Sequence, residues 1–215
     1  TPNGTDTSAN DAWRQSAEFA LRWREMMTIQ DFRFITDDTV TPEIIDASNL
    51  ICFGNADNHK IIQQVADQLP LSFAGEKLTV NGAEGIDGVG GLVMIYPNPL
   101  NPKRYIVLCS GNPRVVAPMA AALLQPPQLA AIPQEDLVVF SKEGRMLVQS
   151  QQPEPDAEGQ EGWMAPQPWP RGAVFDRHWK LPASVEQMLI PAPAAPVEDG
   201  AEDGAVEAEA DPEAE

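Results

Sequence analysis

The stretch Asn49-Leu50-Ile51-Cys52-Phe53-Gly54 decides the predicted fold, because it is a short, uninterrupted apolar run bounded by Asn and Gly. Runs of this kind are typical of a strand that is covered on both faces. Residues 58–69 follow it with apolar side chains at helical spacing and end before Pro70. A strand, a loop and a helix in this order are typical of doubly wound folds.

Two further apolar runs, at 91–96 and 105–110, flank the connection Pro97-Asn98-Pro99-Leu100-Asn101-Pro102-Lys103-Arg104. This connection is too short to hold a crossover helix, so the two runs should be antiparallel neighbours. The sequence therefore predicts an α/β fold with three layers and a mainly parallel sheet, flavodoxin-like or Rossmann-like. To this fold it adds one antiparallel hairpin and a disordered acidic C-terminal tail.

The chain divides into five predicted parts. An N-terminal linker and amphipathic helix span 1–30, and the α/β core spans 31–149. A loop rich in Pro, Gln and Glu covers 150–170, and a docking segment that regains apolar character covers 171–190. The remainder, 191–215, consists mainly of Ala, Pro, Gly and acidic residues without Lys or Arg, which predicts a disordered tail.

Composition excludes several classes of partner. The 215 residues include 32 Asp and Glu against 14 Lys and Arg, for a formal net charge of −18. Phosphate backbones and anionic membrane surfaces attract basic clusters, so nucleic acid is excluded and an anionic membrane is disfavoured. No apolar run approaches the ~20 residues of a spanning helix, so no transmembrane segment is expected. The first residue, Thr1, is not an initiator Met, which suggests a mature or excised piece of a longer protein.

Motifs for catalysis, metals and cofactors are missing from the sequence. Ser110-Gly111 comes closest to a Gly-x-Ser-x-Gly elbow, but Leu108 stands where that motif requires Gly. His59 and His178 are the only histidines, and neither Cys-x-x-Cys nor His-x-x-x-His occurs. The glycine-rich stretch 82–91 leads into a strand rather than a helix, so it is read as a turn and not as a nucleotide loop. We therefore predict no catalytic residue, no metal site and no cofactor.

The two cysteines, Cys52 and Cys109, each lie inside an apolar run. This placement favours buried free thiols that act as small hydrophobic side chains. A disulfide between neighbouring strands remains open as the alternative.

The sequence contains one candidate ligand site. If the sheet is parallel through 49–53 and 105–109, the loops that follow both strands lie at the same edge, where open α/β sheets bind ligands. These loops would offer hydrogen-bond donors to a small molecule or an anion, with capping and turn formation as the alternative role. The candidate residues are Gly54, Asn55, Asn58, His59, Gly111, Asn112 and Arg114.

Five tryptophans are candidates for partner binding, with packing inside the fold as the alternative. Two lie in the N-terminal helical pattern, two in the 150–170 loop and one in the docking segment; they are Trp13, Trp23, Trp163, Trp169 and Trp179.

Three segments also carry a resemblance: 37–54, 95–111 with its Asn-Pro-Leu-Asn-Pro hairpin, and 175–181. They resemble the C-terminal α/β accessory domain of bacterial exported peptidases and esterases of the prolyl-oligopeptidase type. Domains of some archaeal cell-surface proteins are similar more weakly. The resemblance covers about 13–181 without the 150–170 loop, and His59 stands where it leads us to expect Asn.

The resemblance implies a non-catalytic accessory domain, because the catalytic residues of that family belong to an upstream α/β-hydrolase domain. It also implies a hydrolase domain or other protein as partner, and an extracytoplasmic location in the periplasm, in the cell envelope or outside the cell. Two alternatives remain: a free-standing structural protein of the cell envelope, and a module that binds small molecules or anions through the loops after Phe53 and Cys109.

Overall fold

The computed structural model describes residues 1–3, 6–28, 33–124, 135–144 and 173–191, with the main chain alone at 23–28 and 121–124. In chain order the helices and strands are α1 (Thr7–Thr28), α2 (Pro42–Ala47), β1 (Leu50–Phe53), α3 (Lys60–Val65), β2 (Leu71–Ala74), β3 (Lys77–Val80), β4 (Ala83–Glu84), β5 (Val89–Asn98), β6 (Asn101–Gly111), α4 (Pro113–Leu124), β7 (Leu137–Ser141) and α5 (Ala183–Leu189).

The main sheet is mixed, with the strand order β1-β6-β5-β7. Its β1 and β6 are parallel, with Leu50 opposite Ile106. The β5–β6 and β5–β7 pairs are both antiparallel. The prediction of a mainly parallel three-layer sheet of the flavodoxin or Rossmann type is therefore wrong. The antiparallel hairpin that it included corresponds to the observed β5–β6 pair.

Short connections explain why antiparallel pairing dominates. Between β5 and β6 the chain has only Pro99 and Leu100, and a parallel return needs a crossover of a dozen or more residues. Asn98 stabilises this turn, since its Oδ1 accepts a hydrogen bond from Leu100 N at 3.0 Å. The two longest strands are thus antiparallel because of their turn, and the parallel pair is confined to β1 and β6.

Residues 71–84 form a second, antiparallel sheet in the order β2-β3-β4, which the sequence analysis did not separate from the first. Both of its turns are tight. Gly75 has φ +60° in the first, and Asn81 and Gly82 have φ 47° and 82° in the second. Two successive residues with positive φ are typical of a hairpin turn that pairs strands directly.

The two faces of the main sheet contact two hydrophobic clusters, because side chains alternate along each strand. On one face, Leu50, Leu92 and Leu108 pack with α3, the second sheet and α5. On the other face, Phe53 and Cys109 pack with α1 and α4. Each cluster is therefore a separate part of the core.

The segment 173–191 returns to the core after the gap in the described residues. Ala173 pairs with Leu137 of β7, and Val185 and Leu189 of α5 are buried in the first cluster. The 150–170 loop and all but the first residue of the 191–215 tail lie outside the described residues, so their predicted roles stay predictions. Within the described ranges, none of the helices is both long and apolar enough to cross a membrane.

Candidate functional site

The ends of β1 and β6 meet, as expected for the loops that follow two parallel strands. Gly54 N donates a hydrogen bond to the Cys109 carbonyl oxygen at 3.1 Å, which continues the ladder one residue past β1. The loop after β1 thereby reaches Gly111. Six of the seven candidate ligand residues lie in this region, and Arg114, the second residue of α4, has an exposed side chain.

Asn55 is the centre of the site. Its Oδ1 accepts hydrogen bonds from Gly111 N at 2.7 Å and from the Ser110 hydroxyl at 2.8 Å. Its Nδ2 donates to the carbonyl oxygens of Gly111 and Gly75, both at 3.1 Å. An Asn side chain has two donor hydrogens and two lone pairs, and all four are used here. Asn55 therefore joins both sheets and has no capacity left for a ligand.

Asn58 and Asn112 form turns. The Oδ1 atom of Asn58 accepts a hydrogen bond from Asn55 N at 2.8 Å, and that of Asn112 accepts one from Arg114 N at 3.0 Å. Main-chain N–H groups at the start of a helix need such acceptors. Asn112 caps α4 in this way, whereas the Asn58 side chain closes a turn in the loop and gives α3 no capping bond, so only the turn role expected of Asn58 is observed.

His59 and Asp37 form a buried polar pair, and their side chains are 3% and 2% exposed. Asp37 Oδ2 accepts a hydrogen bond from Lys60 N at 2.6 Å, which caps α3. His59 Nδ1 lies 4.0 Å from the same oxygen, which is too far for a hydrogen bond. Among the residues that the structure describes, Asp37 Oδ1 and His59 Nδ1 have no hydrogen-bond partner. Burial lowers the pKa of His59 to about 4, so its ring is neutral at pH 7.

The potential nucleophiles of this region are sequestered. Ser110 is fully buried and donates its hydroxyl proton to Asn55. Burial raises the pKa of Cys52 to about 12, and it also raises the pKa of Cys109. Only thiolates are good nucleophiles, so both cysteines are inert in the folded chain. His178, the second histidine, lies in an exposed turn where its Nε2 accepts a hydrogen bond from Arg177 Nε at 3.1 Å.

The tryptophans have different positions. Trp13 is 1% exposed and packs between α1 and the sheet, so its side chain is used within the fold. Trp179 is half-buried and its ring contacts Tyr105 and Phe175. The side chain of Trp23 and the whole of Trp163 and Trp169 lie outside the described part of the structure, and their partner-binding roles stay predictions.

Sequence reasoning missed Asp37 and Tyr105. Asp37 lies 22 residues before His59, in a 3-10 turn (Asp37–Thr39), and no local pattern shows that its carboxylate caps a distant helix. Tyr105 lies in a strand where alternation alone does not distinguish a packed ring from an exposed one. In the described residues, no group of three or more His, Cys, Asp or Glu side chains is placed to hold a metal ion.

Comparisons of the chain with protein-family models, curated proteins and solved structures found no match. Function is therefore argued from the site, from the exposed surface and from the resemblance described above.

Proposed function

We propose that this chain is a non-catalytic accessory domain that packs against a hydrolase domain of the prolyl-oligopeptidase type. One observation carries the proposal. At the edge where a catalytic or ligand site would lie, the Asn55 side chain forms hydrogen bonds with Ser110 and Gly111, so these polar groups are occupied within the fold. A nucleophile needs a base and access to substrate, and Ser110 has neither. The resemblance supplies the class of partner.

An exposed aromatic surface is the best candidate for the contact with that partner. It comprises the exposed Tyr105 and the half-buried Tyr96 and Trp179, of which the last two contact the buried Phe175. The ring centroids of the contacting pairs lie 5.5–6.0 Å apart. Tyr105 is 43% exposed, and Val174, which precedes Phe175 in the chain, is 54% exposed. Tyr and Trp are enriched at interfaces, because they bury much apolar area with few rotatable bonds. This surface is built on β5, β6 and the turn at 175–180, which belong to segments that carry the resemblance.

Basic side chains flank the aromatic surface in an otherwise acidic chain. Lys103 and Arg104 precede Tyr105, and Arg177 and Lys180 lie on either side of Trp179. All but Arg104 are exposed. Like charges repel and opposite charges steer association, so this local excess of positive charge suits an acidic face on the partner. Association should therefore weaken as salt is added.

The first experiment measures the size of the native polypeptide by immunoblot of source-cell fractions. A band much heavier than 23.4 kDa supports a tail joined to a hydrolase, and recovery from envelope or secreted fractions supports the proposed extracytoplasmic location. A band at 23.4 kDa contradicts a covalent arrangement and favours the free-standing envelope protein.

The second experiment measures binding of the chain to the separately expressed hydrolase domain. Tyr105→Ser should weaken binding about ten-fold or more, since exposed aromatic anchors carry much of the energy of an interface. Met188→Ser is the matched control, because Met188 is 47% exposed on α5, outside the aromatic surface and away in sequence from the candidate tryptophans of α1. Equal affinities of the two variants, or no binding by the unmodified chain, would overturn the proposal.

A further inference from the structure

A cavity of about 560 Å³ lies beside β1, which is the edge strand of the main sheet. Its walls come from α1, α2, β1 and the segment 33–37. Most side chains in these walls are apolar, among them Leu21, Val40, Ile44, Leu50 and Ile61. The volume lies within the range of small-molecule pockets, which are mostly apolar with a few polar groups that fix orientation. Asn55 does not line this cavity, and His59 is the residue that it shares with the loop site.

The polar pair of Asp37 and His59 lies in the wall of this cavity. Both side chains are more than nine-tenths buried, and Asp37 Oδ1 and His59 Nδ1 have no hydrogen-bond partner in the described part of the chain. Buried polar atoms are almost always paired, so two orphaned atoms in one wall indicate a group that binds between them. Asp37 Oδ1 can only accept a hydrogen bond, whereas a neutral imidazole nitrogen either donates or accepts.

We infer that this cavity binds a small aliphatic molecule whose single neutral hydroxyl group bonds to Asp37 and His59. A hydroxyl can donate to the carboxylate and accept from the imidazole at the same time. A water molecule could form the same two bonds, but it would leave the apolar walls without contacts, which an alkyl chain supplies.

The charges around the cavity exclude the other simple head groups. A carboxylate would lie beside the Asp37 carboxylate, and burying two like charges together is costly. In the 215-residue chain an ammonium group would lie near the like charge of the Thr1 amine, which also lines the cavity and donates to the Ile35 carbonyl oxygen at 3.1 Å. Glu43 and Arg33 line the cavity too, but both are exposed and screened by solvent.

The test uses the full 215-residue chain, with 1-hexanol and hexanoate as probes at pH 7. These probes share a six-carbon skeleton and differ in the head group. Methyl NMR should show saturable shifts at Ile44 and Ile61, which line the cavity, and none at Ile86, which does not. Hexanoate should bind at least about ten-fold more weakly, because its charge cannot be satisfied beside Asp37.

Three variants identify the groups responsible. Ile44→Trp fills the cavity and should abolish the hexanol shifts. Asp37→Asn should remove most of the preference for hexanol over hexanoate, because an amide can donate to a carboxylate. Glu43→Gln, the matched control at an exposed carboxylate, should keep that preference. If Asp37→Asn fails to fold, Ile44→Trp still tests whether hexanol binds in the cavity, and the two probes still test whether the cavity selects a hydroxyl over a carboxylate. Absence of saturable shifts would show that the cavity binds no alkyl chain, and equal binding of both probes would show that Asp37 does not select the head group; either result would overturn the inference.

Discussion

Asn55 and Gly111 are joined by two hydrogen bonds across the ends of two parallel strands. Gly111 N donates to Asn55 Oδ1 at 2.7 Å, and Asn55 Nδ2 donates to the Gly111 carbonyl oxygen at 3.1 Å. The Asn55 side chain thus takes the place of the next pair of main-chain hydrogen bonds between β1 and β6, at the point where the two strands end. Its further bond to the Gly75 carbonyl oxygen connects the main sheet to the second sheet.

Replacing Asn55 with Ala should therefore be strongly destabilising. The substitution leaves the N–H of Gly111 and the hydroxyl of Ser110 buried without an acceptor, and each such group costs about 1–3 kcal/mol. We expect the free energy of unfolding to fall by about 3 kcal/mol or more in urea denaturation. The matched control is Asn112→Ala, which removes an exposed capping bond and should cost about 1 kcal/mol. Similar losses of unfolding free energy in both variants would show that the buried hydrogen bonds of Asn55 do not stabilise the fold more than one exposed capping bond does.

The sequence predicts part of this site correctly. Two apolar runs that each end near a glycine indicate strands whose exit loops can meet, and the parallel β1–β6 pair places Gly54 near Gly111. The contact of Asn55 with Gly75 could not be predicted from the sequence, because it depends on how the second sheet packs against the first. The same holds for Asp37, whose carboxylate caps a helix that begins 23 residues later.

The error in the predicted fold concerns the direction of strands that are far apart in the chain. Strand direction depends on connection length, and the two-residue turn at Pro99 and Leu100 correctly predicts one antiparallel pair. An Asn-Gly dipeptide at 81–82 between apolar strands is also a strong hairpin signal, and it indicates the second sheet. Nothing comparable shows that β7 pairs antiparallel to β5, since this contact depends on the path of the whole chain.

Gly111 should tolerate no side chain. Its φ is +123°, and a Cβ atom there would lie 2.5 Å from the Gly90 carbonyl oxygen and would also clash with the Gly91 main chain. Because both obstacles are main-chain atoms of the neighbouring strand, relief requires β5 and β6 to separate. We expect Gly111→Ala to cost several times more free energy of unfolding than the roughly 1 kcal/mol typical of replacing glycine at positive φ.

Gly144→Ala is the matched control for that measurement. Gly144 has φ +76°, and an added Cβ would meet no atom of the described residues within 4 Å. The comparison therefore separates steric exclusion from backbone strain alone. Equal losses of stability in thermal or urea unfolding would show that the close approach of β5 and β6 at Gly111 is unimportant.

Cys52 and Cys109 should stay reduced and unreactive while the chain is folded. Cys52 is opposite Leu108 in the parallel register, so Cys109, one residue further along, points to the other face of the sheet. Cys52 packs in the first cluster and Cys109 in the second, which excludes a disulfide between them. We expect neither thiol to react with Ellman's reagent in buffer and both to react in concentrated urea. Rapid reaction of either thiol in buffer would contradict its burial.

The stability of the fold should decrease as the pH falls from about 6.5 to about 4, because of His59. Burial, together with the charge of the Thr1 amine, lowers the pKa of this histidine from 6.5 to about 4, and the Asp37 carboxylate partly opposes the shift. Between these values the unfolded chain binds a proton at this position and the folded chain does not. Protons are therefore taken up on unfolding, and acid favours the unfolded state. The contribution is present in full above pH 6.5 and is lost progressively down to pH 4.

His59→Asn isolates this effect, since it places at position 59 the residue that the resemblance leads us to expect. The difference in unfolding free energy between pH 7 and pH 4 should be larger in the unmodified chain by on the order of 3 kcal/mol, at 1.36 kcal/mol per pKa unit. Asp38 and Glu43 also have lowered pKa values, through side-chain hydrogen bonds from Thr36 and Thr41, but they titrate in both proteins and cancel in the comparison. Parallel stability curves for the two proteins over this range would mean that His59 is protonated in the folded chain, with Asp37 as its ionic partner.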